Sequence, residues 1–172
     1  RMTDLDAATF EGVAFLGNTL APFFLQDPRT GAAGAEFAAV AALDAQTAGA
    51  EWPFVGEGEA ARCLGMMVEG LAPSCSAGEG GAFVADDDLT WEYRRLFIGP
   101  GVKPAPPWGS VYTDRECVVF GATTLELRAW MREHGVARTA DEKTPEDHIG
   151  LMLALMAWLA QNRPADLDEF LS

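Results

Sequence analysis

Positive charge is scarce in this sequence. Twelve Lys and Arg stand against 26 Asp and Glu, a net charge of −14 over 172 residues. Such a surface repels phosphate backbones and anionic lipid head groups, which excludes nucleic acid and membrane-surface partners and favours a basic peptide. The same acidity also serves solubility or salt adaptation. Long apolar runs are missing too: the longest, Ile149 to Ala160, falls short of the roughly 18 residues that span a bilayer. Cysteine is limited to Cys63, Cys75 and Cys117, far apart and with no C-x-x-C spacing, so neither a disulfide framework nor a zinc site is expected. With only His134 and His148 available, no metal or cofactor site is predicted. The start of the chain, Thr3-Asp4-Leu5-Asp6, is acidic and shows no secretory leader, which makes cytoplasm the expected compartment. Strand-like alternation is confined to Glu116–Phe120.

What remains is helical periodicity. Phe10, Val13, Leu16, Leu20 and Phe23 recur in steps of three and four, predicting a helix over 5–24 capped by Asp4 or Asp6. Asp27-Pro28-Arg29-Thr30-Gly31 reads as a turn, and the alanine-rich stretch 35–45 as a second helix. Leu64, Met67, Val68 and Leu71 mark one face of a helix over 59–71, followed by a Pro-, Ser- and Gly-rich loop over 72–82. Asp86, Asp87 and Asp88 suit the positive end of a helix running to Phe97. An irregular segment with four prolines spans 99–114, and a helix over 123–133 closes at Gly135. Thr144-Pro145-Glu146-Asp147 predicts a helix start, with Ile149, Met152, Leu153, Met156 and Leu159 facing inward. The expectation is an all-α, single-domain helical bundle over 1–172. The pattern over 166–171 stops after little more than one turn, so further helices are expected after Ser172.

Gly56-Glu57-Gly58-Glu59-Ala60-Ala61 loosely matches a dinucleotide fingerprint, yet no strand precedes it and its glutamates oppose a pyrophosphate. Gly78-Glu79-Gly80-Gly81 lacks the Lys-Ser/Thr of a phosphate loop and reads as linker. Arg94-Arg95 reads as a solvated helical face. Ser110, Asp147 and His148 are the residue types of a nucleophile, an orienter and a base. Neighbours on a helix diverge by about 100°, however, and Ser110 lacks the G-x-S-x-G elbow. Asp147 reads equally well as an N-terminal charge and His148 as a half-buried hydrogen bonder. A hydrolase or nucleotide-using enzyme centred on that pair stays open as an alternative.

The segment Leu96 to Tyr112 packs aromatic and apolar side chains into a proline-stiffened loop. Such a loop loses little entropy on ordering, and rigid aromatics such as Trp108 and Tyr112 suit peptide binding as well as plugging a core. Glu92-Tyr93-Arg94-Arg95-Leu96-Phe97-Ile98-Gly99-Pro100, then Ala105-Pro106-Pro107-Trp108-Gly109-Ser110-Val111-Tyr112, then Phe120-Gly121, then Leu125 to Gly135, then Pro145-Glu146-Asp147-His148 resemble the TorD/DmsD family of twin-arginine leader-binding chaperones. The resemblance is dense from about Trp91 to Asn162. It implies an all-helical, non-catalytic chaperone that binds the twin-arginine leader of a molybdoenzyme catalytic subunit and holds back export until folding and cofactor insertion are complete. It also implies that Tyr93, Leu96, Phe97, Pro107, Trp108, Tyr112, Asp147 and His148 contact the leader, and that a monomer or a domain-swapped dimer forms. Tyr93, Gly101 and Tyr112 stand where one branch of the family carries tryptophans, and the missing aromatic at Gly101 bears on which leader is bound and how tightly. An arginine of the leader needs a carboxylate partner; Asp147 is the expected one, with Glu92 and Glu146 in reserve. An assembly scaffold that grips the folded reductase is the other alternative.

Overall fold

Aspartate side chains open three of the helices in the computed structural model, which describes residues 6–76, 82–138 and 143–171. Asp6 accepts the Thr9 N–H at 2.8 Å and starts α1 (Ala7–Leu25). Asp44 does the same for α3 (Ala45–Glu51) and Asp86 for α5 (Asp87–Tyr93). The Asp44 cap explains a departure from expectation. The alanine-rich helix predicted over 35–45 ends early, as α2 (Gly34–Ala41), because Asp44 binds the Thr47 N–H at 2.7 Å and begins a new helix. Asp27 caps a 3₁₀ turn, Pro28–Thr30, ended by Gly31 at φ 68°.

The helix α4 (Glu57–Ser76) runs on through Pro73 into the stretch predicted as loop. Leu71 and Ser74 are buried there, and the Ser74 carbonyl and hydroxyl receive the Val84 and Asp86 N–H groups, which holds the added turn in place. Gly78-Glu79-Gly80-Gly81 and Asp4 lie outside the described residues. After α5 the chain widens into a π-helical turn, Arg94–Ile98, closed by the Gly99 N–H on the Arg94 carbonyl at 2.8 Å.

Then follow α6 (Ser110–Thr113), α7 (Ala122–Glu133), α8 (Ile149–Asn162) and α9 (Pro164–Leu171). The strand candidate Glu116–Phe120 is not a strand. Cys117 and Phe120 adopt left-handed φ of 50° and 63°, and the exposed turn they make lets Asp114 reach forward to cap α7 through the Thr123 N–H at 3.1 Å. Likewise Thr144-Pro145-Glu146-Asp147 is a turn and not the start of a helix: α8 begins five residues after Thr144, at Ile149, with His148 as its cap. The three cysteines are free.

Two apolar clusters hold the bundle. Val13 and Ala14 of α1 pack with Leu159 and Ala160 of α8 and Leu167 of α9, with Trp130 and Phe170 at the margin. Ala33, Phe37, Val40 and Leu71 form the second, joined by Phe23 and Phe83. The α1–α8 contact is close enough to need glycine: a Cβ on Gly17 would lie 2.3 Å from the Leu153 carbonyl oxygen. The fold is all-α. Among the described residues, only one isolated β-bridge is present and no helix is long and apolar enough to cross a membrane.

Candidate functional site

That single bridge builds the site. The loop after Pro107 and the chain entering α8 run antiparallel, pairing Trp108 with His148. The Ile149 N–H donates to the Pro107 carbonyl at 2.8 Å, and the Gly109 N–H to the Asp147 carbonyl at 3.0 Å. Asp147 is buried, at 3% exposure, and its Oδ2 accepts the Ser110 N–H at 2.7 Å, which caps the short α6. His148 turns the other way. Its Nδ1 accepts the Gly150 N–H at 3.1 Å and caps α8, leaving the proton on Nε2 as a donor. Burial pushes the imidazole below its ordinary pKa, opposed by the Asp147 charge, so the ring is neutral near pH 7. Three buried polar atoms at this junction have no hydrogen-bond partner among the described residues: Trp108 Nε1, Ser110 Oγ and Asp147 Oδ1.

Next to the bridge lies a cavity of about 250 Å³. Phe24, Leu25 and Asp27 come from the end of α1 and the turn after it; Tyr93, Phe97 and Ile98 come from α5 and the π-helical turn. Trp108, Pro145 and His148 complete the wall, with Lys143 and Thr144 beside them. The rings brace one another. Phe97 meets Phe24 edge-on at 5.7 Å and Tyr93 at 4.9 Å, and Trp108 meets His148 edge-on at 6.2 Å. The Tyr93 hydroxyl donates to the Phe24 carbonyl at 3.0 Å, tying α5 to the end of α1. Burial, with the Asp27 charge behind it, pushes that phenol up to about 12. The extra residue of the π-helical turn widens the helix where Phe97 and Ile98 face the cavity.

The structure therefore brings together Tyr93, Phe97, Trp108 and His148, and sorts the other expected contacts differently. Leu96 is half-buried in the π-helical turn without lining the cavity; Pro107 is buried and supplies the bridge carbonyl; Tyr112 is 65% exposed on α6. Asp147, the expected partner of an incoming arginine, is buried and does not line the cavity: its Oδ2 accepts the Ser110 N–H, while its Oδ1 has no hydrogen-bond partner among the described residues. Neither reserve stands free: Glu92 is forked by Arg95 on the surface, and Glu146 binds Arg128 at 2.7 Å and Arg138 at 3.7 Å. The catalytic arrangement is not assembled either, since Asp147 bonds the Ser110 backbone while the His148 Nδ1 is taken by Gly150. Among the described residues, no group of His, Cys, Asp and Glu could hold a metal.

Asp27 is the cavity's one anionic side chain among the described residues, and periodicity offers no reason to single it out. Phe24 is the partial exception. It directly follows the core residue Phe23, and a second large aromatic one step of about 100° further round the helix calls for a second apolar surface.

Residues 68–170 match the family model described as nitrate reductase delta subunit. The chain is similar to the probable Tat proofreading chaperone DmsD of Haemophilus influenzae, 54% identical over 84 residues, which cover 49% of this chain and 41% of that one. It is 53% identical over 78 residues to the Tat proofreading chaperone DmsD of Salmonella typhi, covering 45% and 38%. The chaperone protein TorD of Ferrimonas balearica is 30% identical over 69 residues, covering 40% and 32%. The chain thus spans about two-fifths or less of the length of the curated relatives it matches.

Proposed function

Because the chain belongs to the nitrate reductase delta subunit family, we propose that it is a redox-enzyme maturation chaperone whose aromatic cavity receives the twin-arginine leader of a molybdoenzyme catalytic subunit. The observation that carries this reading is the convergence of Tyr93, Phe97, Trp108 and His148, from two distant stretches of chain, on one hollow. A leader offers guanidinium groups followed by an apolar stretch. Its apolar part lies against Phe97, Trp108 and Phe24, where rigid rings bury surface at low entropic cost. His148, a residue of the cavity wall, keeps the proton on Nε2 as a donor, which suits a peptide carbonyl, an acceptor that must be satisfied once water is excluded. Pro107 and Asp147 act at one remove by fixing the bridge that presents Trp108. Leu96 is read as support for Phe97, and Tyr112 as an outer contact reached only by a longer segment. In this account the protein works in the cytoplasm, uses no cofactor, carries out no catalysis, and delays export while the partner folds.

Titration calorimetry with a leader peptide tests the reading. Binding is expected, with Trp108→Ala and Phe97→Ala each weakening it by about 1 to 3 kcal/mol. A helical content equal to the parent's, with unchanged affinity in both variants, sinks the cavity as the leader site.

A further inference from the structure

The cavity's carboxylate already holds a guanidinium. Asp27 is forked by Arg29, whose Nε lies 3.1 Å from both carboxylate oxygens and whose Nη2 lies 2.6 Å from Oδ2. The two partners are placed unequally: the Asp27 side chain is 13% exposed, the Arg29 side chain 47%. Arg29 reaches in from solvent, therefore, while Asp27 belongs to the wall. Its carboxyl is held below its ordinary pKa, chiefly through the Arg29 side-chain hydrogen bonds, so it is ionised. Tyr93 does not quench it, because that hydroxyl is committed to the Phe24 carbonyl.

From this we infer that Arg29 is a resident stand-in for a leader arginine, and that it leaves Asp27 when a twin-arginine segment enters the cavity. The inference rests on the leader-binding reading above and names the residue that selects arginine. Three features support exchange. First, the carboxylate is already shaped for a bidentate fork, which arginine makes and lysine does not. Second, Asp27 does not depend on the Arg29 side chain for its position: Oδ1 also accepts the Arg29 backbone N–H at 3.0 Å, and Pro28 fixes the turn. Third, swapping one guanidinium for another conserves charge and hydrogen bonds, so the balance is decided by what else the newcomer touches. Arg29 comes from outside; an arginine arriving through the cavity also packs against Tyr93 and Phe97. The displaced Arg29 side chain, half of it already in solvent, regains full hydration, which offsets part of the fork it gives up.

Calorimetry with an Arg-Arg leader peptide and its Lys-Lys form, on the parent and two variants, decides the matter. Asp27→Asn keeps the cap of the 28–30 turn and removes the charge. It is expected to weaken the Arg-Arg peptide by about tenfold or more, as for a hydrogen bond to a charged group, and the Lys-Lys peptide by about twofold at most. Arg29→Ala frees the carboxylate and is expected to tighten the Arg-Arg peptide by up to about fivefold. Equal losses for both peptides in Asp27→Asn overturn the inference, as does an Arg29→Ala variant that binds no tighter than the parent. Should Asp27→Asn fail to fold, the Arg29→Ala result decides alone. A parent that binds neither peptide removes the leader-binding reading itself, and this one with it; a parent that binds both while Asp27→Asn changes nothing removes this one only.

Discussion

His148 shows how much one buried ring can carry. It caps α8 with Nδ1, stands edge-on to Trp108, and stays neutral because burial disfavours its charged form. The unfolded chain takes up a proton near the ordinary value of 6.5 and the folded chain does so only lower down. The stability is therefore intact above about 6.5 and is lost as pH falls from there toward the folded-state value. His134 works with the opposite sign. Its pKa is raised, first by the hydrogen bond to the Trp130 carbonyl, so it favours the folded state below about 6.5 and loses that as pH rises. Urea unfolding at about pH 7.5 and about pH 5.5 in a His134→Gln background isolates the first effect. Stability there should fall on acidification, and adding His148→Asn, which caps without titrating, should flatten the fall. At this scale the sequence was partly legible. Tyr93, Phe97, Trp108 and His148 sit in motifs whose order marks them. Asp147 also sits in a motif, yet one of its carboxylate oxygens holds a backbone N–H that no local pattern reveals. Asp27 follows a helix as any turn aspartate does, and acquires meaning only because α5 packs against the end of α1.

Where periodicity and a cap agree, as at α1, at the start of α5 and at α7, the element lies where the pattern puts it. Where two caps compete, the pattern points to the wrong boundary. Asp44 broke the alanine-rich helix in two, and His148 took the cap expected of Thr144 once Asp147 had been drawn toward α6. Sequence alone ranks such caps equally, since the winner depends on what each side chain meets in space. The π-helical turn leaves no mark for a different reason: it lies at the end of the helix, so no residues follow in which the one-residue slip of the apolar face would show. The tightest element contact, at Gly17, yields a prediction. Gly17→Ala places a methyl within 2.3 Å of the Leu153 carbonyl oxygen and 2.8 Å of the Ala157 Cβ, and both neighbours are rigid helix. Helices α1 and α8 must move apart, which should cost about 1 to 3 kcal/mol despite alanine's better helix propensity. A urea midpoint equal to the parent's shows that the contact is slack.

At the scale of the molecule, the net charge of −14 is a field and not a site. It is spread over a surface on which Glu92 and Glu146 are already paired with arginines. On the leader-binding reading proposed above, its effect on a cationic segment belongs to the encounter. Stopped-flow association should slow as salt rises from about 0.05 M to about 0.5 M, with dissociation changing far less. An association rate that ignores salt leaves the acidity to solubility alone.

The lone rung between Trp108 and His148 has a mechanical consequence. Each strand of that ladder is a single residue long, so the indole wall and the opening turn of α8 can only be undone together. On the proposed reading, a guest fastened to the indole therefore also tightens the seam between the first helix and the eighth, and the loaded protein is the sturdier one.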